Sequence, residues 1–594
     1  MKRYTQLVIA VALVCFLSAC SEPPKGPDSK AAPTSDLSFF SGARLIPGDG
    51  SPPIEEATII MEHGKFKEIG GKGEVKPPKG STRIELDGRT ITPVFINLHG
   101  HVGINTGANT SPKNYKRDSI ISDLNRYAYY GVEAVAVLGT DVGDLAFQIR
   151  DEQRQGKVGG ALLFTAGRGI TAKGGWPTSI LPGIPVEVST EAEARKAVRD
   201  NVDKKVDFIK IWVDDNMGRV PKLKPEIYRA VIDEAKKNNV RVVAHVFYLA
   251  DAKDLVKSGV AGLVHSIRDR EVDNELISAM KEKNVFYTPT LTAHEAKFVY
   301  ADKPHWLGEQ IMREVYPAGL SAYLADPVVM NRFKRNPDLP ALRQQYETAE
   351  KNLVKMSAAG VKIGLGTDSG SADTYPGYFE LRELELMAAA GMKPADVIKA
   401  ATSASADVLG LKDMGTLAVG KDADFIVFSG NPLDKMINVK DIANIYMKGA
   451  DLDRRTILDK ITNEVPKITA TDRQKDAQAQ IDEAREKADA KLEHFGKFPL
   501  GASANVRSMP VPTPKYSKSD IKPGPPDRIS VSMQASPVKA SAAELRDFYS
   551  KALPRYRWAP AGNCWERKHP SSSKTETLCV EANANVAVIQ ITEK

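Results

Sequence analysis

Of nine histidines in the chain, four stand where short apolar runs end. His99 and His101 close ITPVFINLHGH, His245 ends VRVVAHV (240–246) and His265 ends VAGLVHS (260–266). Asp368 closes a further run, VKIGLGTD (361–368). Imidazole nitrogens and a carboxylate are suitable ligands for Zn²⁺ and similar divalent ions. Alternate residues of a strand share a face, so His99 and His101 point the same way. In VDFIKIWV (206–213), Phe208, Lys210 and Trp212 share one face, and Ile209, Ile211 and Val213 share the other. The aliphatic set suits a layer of helices, which turns Lys210 inward. Burial favours the neutral, nucleophilic amine of a lysine. One histidine at a strand end is an ordinary core residue; four with Asp368 and an inward lysine point to a metal centre.

Such residues need a frame that brings strand ends together. Eight β-rich apolar runs supply it: 91–98, 132–139, 161–167, 206–213, 240–246, 260–266, 284–291 and 361–368. Amphipathic helical stretches such as PEIYRAVIDEAKKNN (225–239) and LADAKDLVKSG (249–259) separate several of them. Strand–helix repeats with uniformly apolar strands imply a parallel sheet covered on both faces. Eight repeats in about 280 residues match a (β/α)₈ barrel, whose C-terminal strand ends form the functional mouth. The longest gap, 292–360, carries extra helices that would suit a lid.

The 594 residues exceed one core, since domains run to roughly 100–200 residues. Residues 37–93 read as short strands joined by Gly-rich turns. Strand pattern returns in GTLAVGKDADFIVFSGNP (415–432) and IANIYMKG (442–449). The fold class expected is therefore α/β: a TIM barrel (94–411) inserted in a small all-β unit (37–93 and 412–452), which the family resemblance that follows implies is a β-sandwich. A helical and Pro-rich linker (453–526), including a charged helix over 472–495, leads to a small α+β domain (527–594).

The string ITPVFINLHGHVG (91–103) resembles the strand-one signature of the amidohydrolase superfamily, an apolar run, Pro, then His-x-His. Lys210, His245, His265 and Asp368 follow in that family's order, and GTLAVGKDADFIVFSGNPL resembles the stretch that closes its β-sandwich. The resemblance covers about 37–450. FTAGRGITAKGGWP (164–177) is most similar to the branch holding imidazolonepropionases and Xaa-Pro-type dipeptidases. Asn97 stands where many members have Asp. The resemblance implies that His99, His101 and Asp368 hold one divalent ion, zinc being the expected metal, and that His245 and His265 hold a second. Lys210, carboxylated by CO₂, would bridge them. It implies a metal-bridging hydroxide as nucleophile and Asp368 as the catalytic residue that carries the proton to the leaving group.

Hydrolysis of an amide or peptide bond in a small molecule, such as a dipeptide or N-acyl amino acid, is the expected reaction. The same site would also serve a lactone, a cyclic amide or a phosphotriester. An inert barrel on an envelope-binding lipoprotein is the alternative outside enzymology. Arg168, Tyr248, Arg268 and Arg270 follow strands three, five and six, where an arginine can clamp a substrate carboxylate. Each arginine equally fits a surface ion pair, Asp269 and Glu271 being at hand. Trp176 and Tyr375 would line the pocket or simply pack.

The N-terminus has Lys2 and Arg3 before an apolar run, LVIAVALVCFL (7–17), then small residues. This reads as a secretory signal (1–20). LSAC (17–20) resembles a bacterial lipobox, which implies cleavage before Cys20, lipid on its sulfur, a flexible tether over 21–36 and a periplasm-facing membrane anchor. The other two cysteines, Cys564 and Cys579, suggest one disulfide in an exported chain. The net charge of +7 resides in residues 497–594, which carry 15 Lys and Arg against 8 Asp and Glu. Without Lys/Arg blocks interleaved with aromatics, nucleic-acid binding is not expected.

Overall fold

The computed structural model describes residues 37–464, apart from 106–109, 317–318 and 372, and short stretches between 495 and 593. The signal, Cys20, the tether and almost all of 465–515 lie outside the described residues. Among those described, no helix is long and apolar enough to cross a membrane. The chain divides into two compact units, Met1–Thr469 and Ala470–Lys594.

Seven parallel strands of the first unit are β1 (Phe95–Gly100), β2 (Val132–Val137), β3 (Leu162–Thr165), β4 (Phe208–Val213), β5 (Arg241–Val246), β6 (Gly262–Val264) and β7 (Phe286–Thr288). The eighth position is taken by the extended segment 361–368. Its carbonyl at Lys362 accepts from Tyr287 of β7 at 2.9 Å, and its Leu365 carbonyl accepts from Leu98 of β1 at 2.8 Å. The Asp207 amide donates to Thr165 at 2.8 Å, joining β3 to the start of β4. These bonds link the two parallel sheets and the eighth segment into one ring. Each member is followed by a helix: α1 (Arg117–Tyr129), α2 (Leu145–Arg154), α3 (Glu191–Asp203), α4 (Pro225–Lys237), α5 (Leu249–Ser258), α6 (Asn274–Glu282), α7 (Leu339–Ala358) and α8 (Tyr378–Ala390). The expected TIM barrel is the observed one.

Side-chain alternation sorts the strands as their sequences require. Ile209, Ile211 and Val213 join the large core beneath the helices. Phe208 faces inward with Ile96, Leu98, Ala134, Val243, Val264 and Phe286, and Val408 and Leu409 close this inner core. The apolar bottom leaves polar chemistry to the C-terminal strand ends.

Residues 37–93 and 425–451 build one eight-stranded sheet. Thr90–Pro93 pairs antiparallel with Phe425–Phe428, so the strands before and after the barrel meet. Bulges at Ser41/Ala43 and Ala43/Leu45 bend its first strand, whose two halves pair with different neighbours. The sheet is therefore continuous and folds around a shared core of Phe40, Phe66, Phe425 and Tyr446. Phe425 and Tyr446 stack at 4.6 Å.

Two boundaries differ from the sequence expectation. Helix Arg454–Glu464, assigned to the linker, packs on the barrel: Ile461 is fully buried, and Arg454 Nε donates to the Tyr129 carbonyl at 3.0 Å. In the second unit, Tyr516–Pro523, also assigned to the linker, is a strand paired with Arg528–Ala535. Its prolines and lysines hid a sheet-edge pattern, since Pro is tolerated on an edge strand. It forms the outer edge of a six-stranded antiparallel sheet. Cys564 and Cys579 face each other on neighbouring strands and are joined as a disulfide.

Candidate metal centre

The six side chains converge at the C-terminal mouth of the barrel. His101 Nε2 lies 2.7 Å and His99 Nε2 3.3 Å from Asp368 Oδ1, and one ligand atom from each of the three falls within 4.8 Å of the others. The His99 and His265 rings are 4.7 Å apart, and His265 and His245 are 4.2 Å apart. Lys210 is fully buried, and its charge is felt by His99, His245 and His265.

Room for Lys210 comes from Gly139. It lies at φ +90°, and a Cβ there would come within 2.9 Å of both the Lys210 Cγ and the Trp212 ring. Gly370 serves the opposite wall, since a Cβ would lie 2.0 Å from the His101 carbonyl oxygen. The backbone is strained at the site itself. His265, Thr290 and Asp368 have φ of 69°, 47° and 60°, left-handed values that cost a non-glycine residue about 1–3 kcal/mol each.

The outer nitrogens of three imidazoles are held by neighbours. His101 Nδ1 bonds Thr140 Oγ1 at 2.7 Å, and His265 Nδ1 bonds Thr290 Oγ1 at 2.9 Å. His245 Nε2 bonds Asp214 Oδ2 at 2.7 Å. Each ring then presents its other nitrogen inward, as a ligand held from outside must. Burial drives the His99 and His265 pKa values well down, and burial outweighs Asp214 to bring His245 to about 4. These rings are neutral at physiological pH, with lone pairs free to coordinate. Burial alone would raise the Asp368 carboxyl, but His99 and His101 hold it far below the usual range. Burial lowers the Lys210 ammonium to about 7.

The donor set fits divalent ions. Three buried nitrogens at the site, His99 Nδ1, His245 Nδ1 and Lys210 Nζ, have no hydrogen-bond partner. An unsatisfied buried polar atom costs about 1–3 kcal/mol, so such a cluster marks a ligand. A neutral lysine amine is also the form that adds CO₂, and the resulting carbamate would supply the anionic oxygens two dications need.

The expected substrate residues divide. Arg168 is exposed and spends its guanidinium on the carbonyls of Gly183, Ile184 and Pro185. It lines a groove of about 450 Å³ with Phe147, Asn201 and Lys204, outside the barrel; it holds a loop and does not reach the metal residues. Arg268 is buried, donates to the Ser266 and Val246 carbonyls, and lies 3.8 Å from Asp214 Oδ2. It supports the carboxylate that orients His245. Tyr248 is half-buried and donates to Asp215 at 2.8 Å. Arg270 makes the surface ion pair with Asp269. Trp176 is half-buried, and Tyr375 packs against Tyr316 and Phe379.

Sequence reasoning missed the supports. Asp214 follows β4 immediately, where an acidic pair at a strand end was the available signal. Thr140, Thr290 and the buried Glu383 gave none. Glu383 accepts from the Leu291 and Thr292 amides at 2.7 Å, fixing the turn that carries Thr290 to His265. The gap 292–360 holds α7 and a packed set of short helices in which Trp306 sits among Tyr300, Tyr378 and Phe379.

Comparison with known proteins shows the family and agrees with the fold. The sequence profile described as "Amidohydrolase family" matches residues 90–450. Ochratoxinase from Aspergillus niger is 26% identical over 441 residues, covering 66% of this chain and 80% of its own length. The 5-methylthioadenosine/S-adenosylhomocysteine deaminase of Carboxydothermus hydrogenoformans is 23% identical over 454 residues, 71% of this chain and 91% of its own. Among solved structures, a putative prolidase from Bifidobacterium longum superposes with a TM-score of 0.55 at 24% identity, covering 72% of this chain and 99% of its own. A Xaa-Pro dipeptidase with bound methionine in the active site gives 0.57 at 22% identity, covering 70% and 99%.

Proposed function

The chain belongs to the amidohydrolase family, and from that membership we propose that it hydrolyses amide or peptide C–N bonds in small molecules, using two divalent ions. The observation that carries this reading is the ring of neutral histidines around a fully buried, unpartnered Lys210 amine. His99, His101 and Asp368 would hold one ion, His245 and His265 the other, with carboxylated Lys210 between them; zinc suits the nitrogen-rich set. When bound, such ions lower the pKa of a water towards neutrality and polarise a scissile carbonyl.

The protein's own groups supply the rest. Asp368, a fifth exposed along its side chain, can take the proton of the attacking water and pass it to the leaving nitrogen, whose departure as an anion would otherwise be prohibitive. Asp214, Thr140 and Thr290 fix ring orientation, so no reorganisation is needed during reaction. Arg268 offsets the charge of Asp214 and keeps that carboxylate facing His245.

The test is a screen of zinc-loaded full chain against dipeptides and N-acyl amino acids beside lactones and phosphotriesters. The proposal expects turnover of the C–N substrates, lost on chelation and restored by zinc. Turnover confined to the esters would refute it. We also place the protein at the cell envelope, anchored through lipid on Cys20; the charged-apolar-LSAC start supports this. Cys20→Ala should move the protein from the membrane to the soluble fraction.

A further inference from the structure

The barrel mouth holds a cationic side chain that the metal centre does not use. Lys297 follows the short helix Leu291–Glu295 after β7. Its amide donates to the His294 carbonyl at 3.3 Å, so it begins the next turn beyond His294. The His294 ring lies 5.9 Å from that of His265. This spacing puts Lys297 one turn above a residue already resting on the metal centre.

Its surroundings agree. Lys297 interacts electrostatically with Arg268, Asp214 and Asp368, all groups of the site. Water reaches the side chain, yet the enclosing protein still lowers its ammonium to about 8. An exposed lysine whose charge reaches Arg268, Asp214 and Asp368 stands beside the metal residues. The other cations near the metal centre are committed: Arg268 to backbone carbonyls and Asp214, Lys222 to Asp251. The Lys297 side chain makes no hydrogen bond or ion pair among the described residues. An ammonium beside the site with no ion-pair partner among the described residues is poised for an anion brought by the ligand.

We propose that Lys297 is a specificity-determining residue that binds a carboxylate of the substrate beside the scissile bond. This rests on the hydrolase reading and narrows it to acidic substrates, such as N-acyl amino acids or dipeptides with a free C-terminus. It replaces Arg168 and Arg268, whose guanidinium groups are already engaged.

The test uses zinc-loaded full chain and pairs of N-acetyl-L-amino acids and their C-terminal amides, with leucine, phenylalanine and proline as the residue. Binding is read by calorimetry and turnover on the same pairs. Wild type should bind the acids about ten- to hundredfold more tightly than the amides, the scale of one charged hydrogen bond. Lys297→Met should lose that preference, chiefly in binding and KM with kcat less affected, and Lys297→Arg should recover most of it. Equal binding of acid and amide by wild type, or a preference that survives Lys297→Met, would overturn the proposal. Discrimination of acid from amide through Lys297 without C–N turnover would refute the hydrolase reading alone.

Discussion

At the scale of single residues, the centre depends on what holds three of its imidazoles from behind. His245 depends on Asp214, and Asp214 depends on Arg268 and the Asn216 amide, which donates to it at 2.7 Å. Asp214→Asn keeps the shape and a hydrogen-bonding group but removes the charge that favours the metal-bound imidazole. Partners of this kind are typically worth ten- to a hundredfold in metal affinity. Titration of the variant with zinc against a competing chelator should show a loss on that order; unchanged affinity would mean that the Asp214–His245 bond is incidental. The candidate ligands were legible in the sequence because the four histidines and Asp368 stand where apolar runs end and Lys210 lies on the inward face of its run, which fixes both strand position and facing. Thr140, Thr290 and Lys297 were not, since they lie where no periodicity announces the chain's path, and Asp214 showed only as half of an acidic pair at a strand end.

At the scale of elements, β1 and the segment 361–368 are joined by a buried polar network that an Asp at position 97 would alter. Asn97 Nδ2 donates to Glu380 Oε1 at 2.8 Å and to Thr367 Oγ1 at 3.1 Å, while its Oδ1 accepts from the His99 amide at 2.9 Å. Glu380 is fully buried and also accepts from Ser369 Oγ at 2.6 Å. The amide is thus the group that lets a buried carboxyl sit between two ligand-bearing strands. Asn97→Asp would set two carboxyls in contact and should cost about 2–4 kcal/mol in urea unfolding. Adding Glu380→Gln should recover most of that loss, because the two sites form one pair. If the double variant is as unstable as the single one, the network does not work this way. Seven of the eight barrel members fall within the apolar runs read from sequence and β1 overruns its run by two residues, because most residues on both faces of these strands are buried. The folded-over sheet and the strand at Tyr516–Pro523 were harder to see: bulges set the first, and proline disguised the second.

At the scale of the whole catalytic unit, the barrel and the sheet assembled from both ends of the chain meet at a buried acid pair. Glu133 lies on β2 and Asp424 directly precedes Phe425, both nearly inaccessible. Burial raises the Glu133 carboxyl well above its ordinary value, and burial likewise brings Asp424 to about 6. Both acids hold protons in the folded state at a pH where the unfolded chain has released them. Their cost is therefore absent below about pH 4 and grows as pH rises towards the folded pKa. Glu133→Gln should match wild type in thermal midpoint near pH 4 and exceed it by about 2 °C or more at pH 8. A difference that shrinks as pH rises would reverse this assignment.

The central claim is that six side chains from five members of the barrel hold two divalent ions around Lys210. Mass-spectrometric metal analysis of zinc-equilibrated, desalted protein tests it most directly. The account predicts about two zinc ions per wild-type chain and a marked loss in Lys210→Ala, with turnover gone. A wild-type chain that retains no metal, or a Lys210→Ala chain that keeps both ions, would contradict it.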